Sequence, residues 1–143
     1  MTYDVFEYYY CDFGRVSFVH SFEDAGSIDL SCLRSAVHAP IEQGQIRFVR
    51  NFNLEVAGYY TWAKLTPFVS EKYINHPDYR LHPSEWNEGD EFWIIGLCAR
   101  KRFLKNIYND IVQEFAGLYC AINWRSARTH KHYKLKLTRN MEV

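Results

Sequence analysis

The sequence lacks several features, and each absence narrows the classes of protein to which it can belong. No stretch of about 18 consecutive apolar residues occurs, so no membrane-spanning helix is predicted. Basic and acidic residues number 17 each, which argues against a uniformly basic nucleic-acid binder and against an acidic disordered chain. No linker rich in Gly, Ser or Pro and no internal repeat divides the chain. We therefore predict one domain that spans residues 1–143.

The cysteine pattern and the N-terminus predict the compartment. The four cysteines, Cys11, Cys32, Cys98 and Cys120, include no C-x-x-C pair, so we expect reduced thiols and no zinc site. Residues 1–4 carry neither the basic nor the apolar segment of a secretory signal. Together these features predict a cytoplasmic protein.

The sequence is rich in aromatic residues, and its charges are unevenly distributed. Aromatics make up 17% of the chain, which excludes disorder and favours a core rich in β-structure. Residues 1–30 hold six acidic residues and one basic residue, whereas residues 100–140 hold ten basic and two acidic ones. The basic C-terminal third could meet phosphates or an acidic protein; the alternative is a solvated face that packs partly on the acidic N-terminal part.

Hydrophobic periodicity predicts most of the secondary structure. We expect a hairpin over residues 45–63, a short helix over 69–75, a central strand over 91–99, an amphipathic helix over 103–115 and strands over 118–124 and 133–137. Residues 5–10 and 16–22 fit either a strand or a helix, and a short helix over 31–38 is expected to end before Pro40. This order predicts an α+β fold with a mixed, mainly antiparallel sheet and helices on both faces, similar to N-acetyltransferases.

The junction between the central strand and the amphipathic helix is the first candidate site. Arg100, Lys101 and Arg102 stand where a helix N-terminus exposes unpaired N–H groups, so they are expected to seat a phosphate, such as that of a phosphopantetheine arm, or an acidic partner. A solvated loop is the alternative. Cys98 comes just before this loop, where the positive charge would stabilise a thiolate and burial would oppose it.

Histidines are the second group of candidates. The chain has six, and a neutral imidazole can deprotonate an incoming amine or thiol. The alternative for each is a structural or exposed side chain. His130 and His132 would share one face of a strand and could both bind a metal, but no third ligand is evident, so no metal site is predicted.

Two tryptophan-bearing segments carry a family resemblance. The first contains Trp62, Ala63 and Leu65, and the second has the pattern Trp86-x-x-Gly89-Asp90-x-x-Trp93. Over about residues 30–122 the chain resembles the toxin-activating lysine acyltransferases of the RTX haemolysin system. That family has an N-acetyltransferase-like fold.

The resemblance implies an activity and a partner. The family moves a fatty acyl group from acyl carrier protein to lysine side chains of a toxin, and the acidic carrier with its phosphopantetheine arm would suit the basic C-terminal third. The implied donor is acyl carrier protein or acyl-CoA, with no tightly bound cofactor. The chain ends before the family's C-terminal helical part, so we expect a truncated member.

The family's catalytic pair, a histidine and an aspartate, is altered in this sequence. Counting along the resemblance puts Ala25 at the histidine position and Gly96 at the aspartate position. His20, five residues before Ala25, is expected to replace the base if the loop differs in length. Asp90 matches a family position outside the pair and is expected to orient groups at the entrance of the central strand.

Two functional hypotheses therefore stand side by side. In the first, the protein is a diverged lysine acyltransferase with His20 as its base. In the second, it is an inactive homologue that grips a protein partner as an inhibitor or adaptor. Nucleic-acid binding through Trp124, Tyr133 and the basic residues around them is a third hypothesis, which the zero net charge disfavours.

Overall fold

The computed structural model describes residues 5–137, which contain four α-helices and five strands. The main elements are α1 (Val5–His20), α2 (Leu30–Gln43), β1 (Ile46–Arg50), β2 (Val56–Leu65), α3 (Pro67–Asn75), β3 (Glu91–Ala99), α4 (Leu104–Phe115), β4 (Ala121–Arg125) and β5 (His132–Lys136). Short 3-10 turns occupy Glu23–Ala25, Pro83–Trp86 and Lys101–Phe103. In this part of the chain no helix is both long and apolar enough to cross a bilayer.

The five strands form one sheet in the order β1-β2-β3-β4-β5. The β1–β2 and β4–β5 pairs are antiparallel, and β3 and β4 are parallel. The nearly continuous apolar sequence of β3 therefore takes the central position, where both faces of a strand are covered. The predicted α+β class with a mixed, mainly antiparallel sheet is confirmed.

The N-terminal third is helical, which its sequence left open. Residues 5–10 and 16–22 were compatible with strand or helix, and α1 covers nearly all of both. The prediction that Pro40 ends the next helix is wrong, because α2 continues to Gln43. A proline removes one hydrogen bond to the carbonyl four residues earlier. Here that carbonyl belongs to the exposed Ala36, so solvent can replace the lost donor.

The described chain divides into two compact units, and β2, β3 and α4 each contribute residues to both. The first unit contains the chain up to Thr61 together with Gly96–Tyr108. Val16 of α1 and Leu33 of α2 are buried in its core with Tyr59 of β2. Gly58 faces the other side, where an added Cβ would come within 2.8 Å of Ile107 in α4. Helices therefore cover both faces of the sheet here.

The second unit contains Trp62–Ile95 and the chain from Asn109 onward. Trp93 is buried under α3, and its indole N–H donates to the hydroxyl of Ser70 at 3.0 Å. Phe92 points to the opposite face, where its ring lies 4.5 Å from that of Phe115 in α4. Trp86 and Trp93 are thus core residues.

Candidate functional site

The His20 side chain is held by contacts on both of its ring nitrogens. His20 is the last residue of α1, and its Nε2 lies 2.6 Å from the hydroxyl of Tyr59 on β2. Its Nδ1 lies 3.4 Å from the carbonyl oxygen of Gly26. Because a carbonyl can only accept, Nδ1 carries the hydrogen of the neutral ring and Nε2 accepts from Tyr59. Nε2 is therefore the basic nitrogen of His20.

Tyr59 is suited to hold that nitrogen. Its side chain is only 5% exposed, and its ring lies 5.7 Å from the imidazole of His20. Burial, with a smaller contribution from Cys98, raises the pKa of Tyr59 well above its usual value. The phenol therefore stays protonated and can both donate to a neutral imidazole and accept from a charged one.

Cys98 lies on the same side of the first unit as His20. Its thiol donates to the carbonyl of Ala25 at 3.3 Å, and its sulfur is 3.8 Å from Nδ1 of His20. Burial, and secondarily the carboxylate of Asp24, raises the pKa of Cys98 to about 11. Of the two opposing effects expected from the sequence, burial is the stronger, so Cys98 is a neutral thiol near pH 7.

The two positions that the resemblance assigned to catalysis fall beside this cluster. The carbonyl of Ala25 accepts from Cys98, and Gly26 contacts His20. Gly96 lies two residues before Cys98 on β3, so a side chain at position 96 would point to the same face of the sheet. A Cβ there would lie 2.8 Å from the hydroxyl of Thr61. We call the contact group of His20, Tyr59, Cys98 and Ala25 the His20 cluster. Position 96 lies on the same face of the sheet as Cys98 of this cluster.

The three cations that follow β3 are partly engaged within the protein. The carboxylate of Asp24 accepts from the backbone N–H of Lys101 at 3.2 Å and lies 3.7 Å from the guanidinium Nε of Arg100. The Arg100 guanidinium also stacks 4.0 Å above the ring of Phe22. Lys101 and Arg102 expose their side chains to solvent. Asp24 therefore occupies part of the position predicted for a phosphate, and the phosphate role of these residues stays a prediction.

Asp90 belongs to the second unit, where it helps to line a cavity of about 720 Å³. Trp93, His132 and Lys134 line the same cavity. His132 stacks on Trp93 with ring centroids 4.8 Å apart and lies 2.9 Å from the side-chain oxygen of Asn123. Desolvation and the neighbouring Lys134 lower the pKa of His132, against a smaller opposite effect of Glu91. Among residues 5–137, no three His, Cys, Asp or Glu side chains are placed to hold a metal ion.

Sequence reasoning missed Tyr59 and Asp24. The alternation along β2 indicates that Tyr59 and Thr61 share a face, but it gives no sign that the partner of Tyr59 lies 39 residues earlier. In the sequence Asp24 is one of six acidic residues among residues 1–30, and its contact with position 101 spans 77 residues. Pairings over such distances depend on tertiary packing.

A comparison with solved structures identifies the fold. The structure is similar to the loading GNATL domain of CurA from Lyngbya majuscula, with a TM-score of 0.52 and 8% sequence identity. The similarity covers 80% of this chain and 60% of that domain's chain, and it confirms the expected N-acetyltransferase-like fold. No curated protein matches the sequence.

A family model gives the more specific match. The model of the RTX toxin acyltransferase family matches residues 12–139, which is most of the chain and more than the segment that carries the resemblance. The match includes the His20 cluster, the two tryptophan segments and the sheet from β1 to β5. The chain therefore belongs to the RTX toxin acyltransferase family.

Proposed function

We propose that this protein transfers an acyl group from a thioester donor to a lysine amine of an acceptor protein, with His20 as general base. Family membership supports acyl transfer as the reaction class. The observation that carries the residue assignment is the position of the His20 ring, 3.4 Å from Gly26 and therefore beside the altered position Ala25. An imidazole from the end of α1 would thus take over the role of the missing histidine.

The chemistry needs one proton acceptor and one proton donor. The neutral lysine amine attacks the thioester carbonyl, and a C–N bond forms while the Tyr59 hydroxyl gives its proton to Nε2 of His20 and takes up the amine proton. The C–S bond then breaks, and the leaving sulfur takes a proton back through Tyr59, so the imidazole returns to its neutral form. The hydroxyl of Tyr59, 2.6 Å from Nε2, turns from donor to acceptor while the ring is charged.

The proposed donor is acyl carrier protein or acyl-CoA. Both carry the acyl group on a phosphopantetheine arm, and we assign its phosphate to Arg100, Lys101 and Arg102. Because Asp24 already contacts Arg100 and the Lys101 N–H, a donor phosphate would have to displace that carboxylate. Lys101 and Arg102 are exposed and need no such exchange. The orienting role of Asp90 is part of the same proposal.

Two observations favour a second function. The positions of the family's catalytic pair hold Ala25 and Gly96, and the carboxylate of Asp24 fills part of the predicted phosphate seat. This arrangement suits a protein that retains the fold and binds a partner without acyl transfer. An inhibitor or adaptor of that kind is the alternative.

A transfer assay separates the two functions. The protein is incubated with acyl carrier protein that carries a fatty acyl group, and the masses of carrier and protein acceptors are followed by mass spectrometry. We expect the carrier to lose its acyl group and a lysine to gain it. His20→Ala should lower the rate about 10²–10⁴-fold, the usual contribution of a general base. His76→Ala, at an exposed histidine of the second unit, is the matched control and should keep the wild-type rate.

Two outcomes would contradict the enzymatic proposal. Equal rates for the wild type and His20→Ala would exclude His20 as the base. No transfer by the wild type, together with a stable stoichiometric complex with a protein from a cell extract, would instead favour the binding function.

A further inference from the structure

The strand β5 forms an edge of the sheet in the described part of the chain. It pairs with β4 alone there, and all five of its residues, His132–Lys136, are exposed. An edge strand presents unpaired backbone N–H and C=O groups, to which another extended chain can bind. β5 can therefore accept an additional strand.

The register of β4 and β5 shows which backbone groups are free. The N–H of Leu137 donates to the carbonyl of Cys120, and the N–H of Ser126 donates to the carbonyl of Lys131. Because hydrogen-bonded pairs alternate along an antiparallel ladder, the backbone groups of Tyr133 and Leu135 also point toward β4. Those of the residues between them point outward; these are His132, Lys134 and Lys136.

The residues with outward backbone groups also carry the basic side chains. Residues 125–137 contain five lysines and arginines and no acidic residue. Within residues 5–137 no carboxylate forms an ion pair with Lys134 or Lys136. Like charges placed opposite each other across strands are destabilising, so these lysines disfavour pairing with a second copy of β5. A strand with acidic residues opposite Lys134 and Lys136 would instead form favourable charge pairs with them.

The opposite face of the edge is apolar. Tyr133 and Leu135 are 43% and 42% exposed, and the ring of Tyr133 stacks on Trp124 with centroids 5.7 Å apart. A strand with apolar residues between its acidic ones would cover these side chains. The edge of β5 therefore favours a strand in which acidic and apolar residues alternate.

We propose that β5 binds an extended acidic segment of a partner protein by strand addition, with acidic residues at alternate positions opposite Lys134 and Lys136 and apolar residues opposite Tyr133 and Leu135. This interaction goes beyond the proposed acyl transfer, and binding alone tests it. The recognition combines backbone hydrogen bonds with specific side-chain pairs across the strands.

The test uses the full chain and two peptides of equal composition. One alternates glutamate and valine, and the other groups its glutamates together and then its valines. We expect the alternating peptide to bind more tightly in isothermal titration calorimetry. Hydrogen exchange should slow at the outward amides of His132, Lys134 and Lys136 when that peptide is bound, because strand addition engages those N–H groups.

Charge reversal gives a matched pair of variants. Lys134→Glu combined with Lys136→Glu should weaken binding of the alternating peptide about tenfold or more, since two favourable cross-strand pairs become repulsive. These residues are exposed at the sheet edge, so circular dichroism should show an unchanged fold. Lys105→Glu changes an exposed lysine of α4 and should have little effect.

Three results would overturn the proposal. Equal affinity for the two peptides would indicate charge attraction without strand pairing. Unchanged exchange at the outward amides during saturable binding would exclude strand addition. Tighter binding of a single-stranded oligonucleotide, abolished by Trp124→Ala, would assign this surface to nucleic acid.

Discussion

Replacing Gly89 by alanine should destabilise the second unit far more than the same change at Gly117, the other glycine of that unit. Gly89 lies between the two tryptophans of the Trp86–Trp93 segment, and its N–H donates to the carbonyl of Lys64 at 3.0 Å. A Cβ at position 89 would overlap the carbonyl group of Leu65 and the backbone nitrogen of Thr66. Since these are backbone atoms, a rotamer change cannot relieve the overlap, and the chain itself must move.

The expected magnitude follows from those contacts. Overpacking costs about 1–3 kcal/mol. Loss of the hydrogen bond from Gly89 to Lys64 costs about 1 kcal/mol more. We therefore expect Gly89→Ala to lower the free energy of unfolding by about 3 kcal/mol. For a chain of this size that corresponds to a decrease in Tm of about 6–12 °C.

Calorimetric melting of Gly89→Ala beside Gly117→Ala measures this effect. An added Cβ at Gly117 meets no atom within 4 Å, and Gly117 has no left-handed backbone that would resist a side chain. Gly117→Ala should therefore melt at or slightly above the wild-type temperature, because alanine restricts the unfolded chain. A Gly89→Ala protein that melts within about 2 °C of the wild type would refute the close approach of Leu65 and Gly89.

Three further predictions concern other contacts. In the folded protein the pKa of Cys98 is about 11, whereas an unperturbed thiol has a pKa of 9.0. The stability that this group contributes is therefore complete below pH 9.0 and is lost as the pH rises to about 11. The urea midpoint should fall over that range in the wild type and less in Cys98→Ala. Ser70→Ala leaves the buried indole N–H of Trp93 without its acceptor and should cost about 1–3 kcal/mol in urea unfolding, and an unchanged midpoint would contradict that bond. Asp24→Asn removes the partly exposed ion pair with Arg100, so stability should change by less than about 1 kcal/mol while binding of a phosphopantetheine phosphate tightens; weaker binding would argue against the assigned phosphate seat.

Local sequence patterns were sufficient for most of the sheet and for α4. Polar–apolar alternation predicted the β1–β2 hairpin, and an apolar sequence without alternation predicted β3 as the central strand. The four-residue spacing of Phe103, Ile107, Ile111 and Phe115 predicted α4. These features are readable because each side chain's burial follows from its own position in a strand or helix. The two tryptophan-bearing segments indicated the family.

The surroundings of the candidate site required the tertiary structure. The sequence identified His20 as a candidate, but its contact with Tyr59 depends on how α1 packs against β2. The sequence likewise placed three cations after β3, and only the fold showed that Asp24 engages part of them.

By itself the sequence determined the family and the fold class, because these depend on residue order and periodicity. Its resemblance to the family also predicts Ala25 and Gly96 at the positions of the catalytic pair. Tertiary structure decided that α2 continues through Pro40, that Cys98 is a neutral thiol and that His20 lies beside Gly26. These outcomes depend on which groups, distant in the sequence, become neighbours when the chain packs, and local sequence patterns do not specify those neighbours.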